Sequence, residues 1–97
     1  MPSYRVIMSI GALQPGVRPE AVLPAAAAGA AAELTIVEAS DLAVVAGSAR
    51  ATVRFTADDG TAALAIGDHV VAKTRLVAAP VSWLVTERVK GRWLPVR

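Results

Sequence analysis

Few residues in this sequence combine the side-chain type and spacing that chemistry requires. His69 is the only histidine, so a two-histidine metal site cannot form within one chain, and Asp68 beside it would face elsewhere on a helix. Asp58 and Asp59 are an adjacent carboxylate pair, but acids opening a helical stretch ordinarily serve as caps. The seven glycines are scattered and match neither a phosphate loop nor a dinucleotide fingerprint. Cysteine is absent, which removes disulfides and thiolate ligands and fits a cytoplasmic protein. No catalytic residue, metal ligand or cofactor is therefore expected, and the reading leans away from an enzyme. Arg50 and Arg54 can hold phosphates, although pairing of Arg54 with Asp41, or plain solvation, is the commoner role for such arginines.

Composition narrows the classes further. The 97 residues suit one domain over 1–97. The apolar fraction is 55%, but much of it is alanine, so valine must supply most of the core volume. The net charge of +2 comes without a basic run, and only Tyr4, Phe55, Trp83 and Trp93 carry rings. Neither nucleic acid nor an anionic membrane is implied. Arg5 followed by Val6 to Leu13 mimics a short signal peptide, but Ser9, Gly11, Gln14 and Pro15 interrupt it. Ala21 to Ala32 is apolar yet well short of the roughly 20 residues a membrane span needs, and it contains Pro24.

The elements that must position these residues can be read in order. Tyr4 to Leu13 alternates, with Tyr4, Val6, Met8, Ile10 and Ala12 on one face, and Gln14-Pro15-Gly16 breaks it. Pro19 and Glu20 open a helix. Pro24 should kink that helix or split off its first turn before the alanine-rich stretch to Glu33. Leu34 to Ser40 begins a strand whose phase predicts a bulge, bend or break near Glu38 to Ser40. Gly47-Ser48 suits a type II′ hairpin turn, pairing Ala46 with Ala49, Val44 with Ala51, Leu42 with Val53 and Asp41 with Arg54. A second helix follows Asp58-Asp59, with Ala63, Ile66, Gly67, Val70 and Thr74 as its buried stripe. Pro80 marks a strand over Val81 to Val89, and Lys90-Gly91 turns it into Arg92 to Val96. Trp83, Val85, Val89, Leu94 and Val96 are then expected in the core.

This rhythm predicts an α+β fold: a ferredoxin-like βαββαβ antiparallel sheet with two helices on one face and an extra C-terminal hairpin strand. Such a sheet leaves its other face open. The outward set contains Arg5, Ile7, Ser9, Ala43, Val45, Arg50, Thr52, Arg54, Thr56, Leu84, Thr86, Arg88 and Trp93, which is more apolar than a solvated face normally is. Ile7, Val45, Arg50, Thr52, Arg54, Leu84, Arg88 and Trp93 are accordingly the candidate interaction residues, for a homodimer or a protein partner. One alternative is a small dimeric α+β barrel enzyme with a pocket between sheet and helices lined by Trp83, His69 and Glu38. Another is a weak nucleic-acid binder, disfavoured because the central strands point no ring outward for base stacking.

Overall fold

A computed structural model describes residues 1–13, 15–16 and 18–96. Along the chain run β1 (Ser3–Leu13), α1 (Pro19–Ala32), β2 (Val37–Val45), β3 (Ser48–Thr56), α2 (Gly60–Thr74), β4 (Ala78–Val89) and β5 (Arg92–Pro95). The five strands form one antiparallel sheet in the order β2-β3-β1-β4-β5. Gln14, in the expected break after β1, lies outside the described residues; Pro15 and Gly16 form a turn. Among the described residues no helix is long and apolar enough to cross a membrane.

One sheet face carries the core. Tyr4, Val6, Met8 and Ile10 of β1, Ala51, Val53 and Phe55 of β3, and Val85 of β4 are buried there, following the period-2 alternation of a half-buried sheet. Phe55 and Tyr4 are register partners, and their rings stack with centroids 6.1 Å apart. Leu23, Ala27, Ala30 and Ala31 of α1 and Ala63, Ile66, Val70 and Val71 of α2 complete the cluster. Both stripes have helical spacing, and the helices pack on each other as well as on the sheet, α1 over β2 and β3 and α2 over β4 and β1. Small side chains let the second helix come close. A Cβ built on Gly67 would lie 2.7 Å from Val85 Cγ2 and 3.0 Å from Trp83 Cζ3, so only glycine fits this contact. At the helix start, Asp59 Oδ1 accepts from the Ala62 amide at 2.8 Å, the expected cap.

Several expectations need correction. The first hairpin turns at Ala46-Gly47 rather than Gly47-Ser48, pairing Val45 with Ser48, Val44 with Ala49 and Leu42 with Ala51. Both central residues have positive φ, 54° and 81°, as a type I′ turn demands, and that twist suits the flanking strands better than the assumed placement of glycine first. The inward and outward sets keep their sides, but Asp41 now faces Thr52 and Arg54 faces Ala39. The predicted bulge is present: the register shifts between Val37 and Ala39, leaving Glu38 as the extra residue. Residues 34–36 precede β2 instead of belonging to it.

Pro24 lies inside one helix instead of dividing it. Its missing N–H forfeits a single bond to the Glu20 carbonyl, while the Leu23, Ala27, Ala30 and Ala31 stripe remains buried. Pro80 likewise sits within β4 opposite Ile10, where register irregularities flank it and the ladder can spare a donor. The second hairpin pairs as expected, Val89 with Arg92, Arg88 with Trp93 and Glu87 with Leu94. Leu94, assigned to the core, is instead 44% exposed because β5 lies beyond the cover of the helices, and Ala12 is exposed at the far end of β1.

Candidate interaction face

The face opposite the helices is built from cross-strand rows. One row runs Ala39, Arg54, Arg5, Thr86 and Pro95 across β2, β3, β1, β4 and β5. The next runs Asp41, Thr52, Ile7 and Leu84, and the one after it Ala43, Arg50, Ser9 and Ser82. Arg88 and Trp93 pair beside the first row. Of the expected interaction residues, Ile7, Arg50, Thr52, Arg54, Leu84, Arg88 and Trp93 are thus brought together, with Val45 at the hairpin end of β2 opposite Ser48.

Arg54 and Arg5 are direct partners in register. Like charges directly opposite each other are unfavourable, and both guanidinium groups turn toward one indole. Arg5 Cζ lies 4.0 Å from the Trp93 ring centroid, Arg54 Cζ 5.3 Å and Arg88 Cζ 5.5 Å. Stacking on the negative face of the ring offsets part of the repulsion, at about 0.5–1 kcal/mol per contact where water has access. Trp93 therefore reaches from β5 over the central strands. Thr86, between Arg5 and Pro95 in the first row, is 6% exposed, and its Oγ1 has no hydrogen-bond partner among the described residues.

Among the described residues one carboxylate answers this cluster directly. Glu38 Oε1 lies 3.3 Å from Arg54 Nε and accepts from Ser3 Oγ at 2.6 Å. The bulge is what turns Glu38 to this side, since in an unbroken alternation it would face inward. The buried Arg54 Nε still lacks a well-formed hydrogen bond, and among the described residues Arg5 and Arg88 form no ion pair.

Two grooves open on this face. The first, about 260 Å³, is lined by Arg5, Ala39, Ser40, Asp41, Thr52 and Arg54. The second, about 370 Å³, is lined by Ile7, Ser9, Arg50, Ser82, Trp83 and Leu84. Sequence reasoning placed Arg5 outward but did not single it out, and it paired Arg54 with Asp41. The signal that could have found the cluster is the Glu38 bulge, which turns that carboxylate toward Arg54.

The residues named for an enzyme pocket are separated. His69 Nε2 lies 3.2 Å from Glu33 Oε1 and ties α2 to the end of α1; Trp83 packs toward Gly67 on the helix side; Glu38 is on the opposite face with Arg54. No cluster of three or more metal-ligating side chains occurs among the described residues. Among the described residues the one clear pKa displacement is that of Tyr4, whose hydroxyl is pushed up by burial and then by the Glu87 carboxylate. The chain matches no protein-family model, no curated protein and no solved structure.

Proposed function

We propose that this protein is a non-enzymatic association domain whose open sheet face docks against a second copy of the same chain. The core order β2-β3-β1-β4 supports reading the architecture as ferredoxin-like, with β5 as the added hairpin strand. The observation that carries the proposal is the charge gradient across a partly apolar face. Glu38 and Asp41 lie on β2 at one side of the sheet, and Arg88 lies on β4 at the other, with Ile7, Leu84 and the Trp93 ring between. A two-fold axis parallel to the strands sets each copy's β2 over the other's β4 and β5, so acid meets base twice in a self-complementary contact. Face-to-face sheets of this kind bury the side chains of both inner faces.

Sedimentation at micromolar concentration is expected to give twice the chain mass. Arg88→Asp turns both acid–base contacts into acid–acid contacts and should raise the dimer dissociation constant about tenfold or more. Adding Glu38→Arg to it, the acid that lies level with Arg88 along the strands, should restore dimerisation. A wild-type mass equal to one chain sinks the proposal, as does a double variant no better than the single one.

A further inference from the structure

We infer that the groove between β2, β3 and β1 is a binding site for a small oxyanion, a carboxylate or phosphate group carried by a molecule that also bears a hydrogen-bond donor. Three observations converge on it. Arg5 and Arg54 sit directly opposite each other, an arrangement whose repulsion a shared anion would relieve. Glu38 covers Arg54 Nε at 3.3 Å, yet the Arg54 side chain keeps 33% of its surface exposed, so the rest of its guanidinium is open to a ligand acceptor. Between the two guanidinium groups, Thr52 and the Ala39–Asp41 stretch of β2 lies about 260 Å³ of concave space, enough for a small metabolite and too little for a macromolecular segment.

The same residues set the ligand's chemistry. Guanidinium groups present planar forks of N–H donors that match two-oxygen anions, so Arg5 and Arg54 take the oxyanion. Stacking of Arg5 on Trp93 at 4.0 Å fixes the plane of one fork before the ligand arrives, which lowers the ordering cost of binding. Asp41 lines the groove too. A bare anion is repelled by it, whereas a hydroxyl or amine on the ligand's far end donates to it. The site thus selects hydroxy- or amino-bearing acids and phosphates over simple anions. All of these groups come from one copy, so a monomer carries the whole site, and a second copy docked on this face competes with the ligand.

The test is a titration of the ¹⁵N-labelled full chain with inorganic phosphate, and separately with L-malate, at constant ionic strength set with sodium chloride. Saturable shifts of the Arg5 and Arg54 Nε–H signals and of the Ser40 and Thr52 amides are expected at millimolar concentrations. Which probe binds tighter distinguishes a phosphate ligand from a carboxylate one. Arg54→Gln should weaken binding about tenfold, while Arg92→Gln on β5 should leave it unchanged. Asp41→Asn should tighten phosphate binding, a change of sign that damage to the fold cannot imitate. Non-saturable responses to both probes, or Asp41→Asn weakening phosphate, would overturn the site. Because a second copy covers this face, the titration is repeated on the Arg88→Asp monomer: a monomeric variant blind to both probes refutes this site, and a wild-type monomer that binds either probe refutes only the dimer.

Discussion

The two faces of the sheet are made by the same strands and obey opposite rules. Along β1, Tyr4, Val6, Met8 and Ile10 are almost completely buried, while Arg5, Ile7 and Ser9 between them are only half covered. On the helix side the described buried groups are apolar or satisfied: Thr74 Oγ1 donates to the Val70 carbonyl at 2.8 Å, and packing is tight enough that Gly67 has no room for a methyl group. On the open side two arginines oppose each other, three guanidinium groups share one indole, and Arg54 Nε and Thr86 Oγ1 are left without hydrogen bonds. Burial of apolar area stabilises the first face in proportion to its close packing. The second leaves groups that the described residues complete only in part, which is what supports the proposed role in association.

Substitutions can break this contrast in order of expected effect. Gly67→Val attacks the closed face. Its side chain meets Val85, which is short, β-branched and buried, so relief requires the helix to move, and unfolding by denaturant should show a loss of about 3 kcal/mol. Trp93→Ala attacks the open face. Thermal and denaturant unfolding should register only about 1 kcal/mol, whereas the sedimentation mass should fall toward that of one chain. A large stability loss from Trp93→Ala with unchanged mass would mean that the two faces do not divide stability and association. The smallest effect concerns the rim of the core. Because burial holds the Tyr4 hydroxyl above the ordinary tyrosine range, the folded chain keeps that proton after the unfolded chain has lost it. Stability is then intact below about pH 10 and declines as pH rises through the folded value. Tyr4→Phe should flatten that alkaline decline without altering stability at neutral pH by more than a fraction of 1 kcal/mol.

The two hairpins show what could be read in advance and what could not. At Lys90-Gly91 the turn chemistry left one reading, and every pair from Val89 with Arg92 outward followed. At residues 46–48 the same two-residue logic admitted Ala46-Gly47 as well as Gly47-Ser48, because sliding the turn by one keeps all inward residues inward. The alternation that identifies the strands is blind to that slip. Choosing between them depends on whether alanine will accept a φ of 54°, a local strain that only the twist of the finished sheet repays. The consequence is not local, since the displaced register moves Arg54 from Asp41 to Glu38 and opens the groove between them. The core positions of β1, β3 and α2 were legible because each repeats with its own period. The convergence of Arg5, Arg54 and Arg88 on Trp93 was not, since it joins side chains from four strands across distances that no spacing encodes.

The placement of proline at Pro95 has a last consequence. β5 is four residues long and lies at one margin of the sheet, where Pro95 lacks an amide hydrogen; at the other margin, β2 is bent by the Glu38 bulge and carries two carboxylates. Neither offers an incoming strand a long straight row of free N–H and C=O groups, so open-ended growth into filaments is suppressed at both ends. For the proposed dimer, such margins mean that a chain meets its own kind broadside and stops at two.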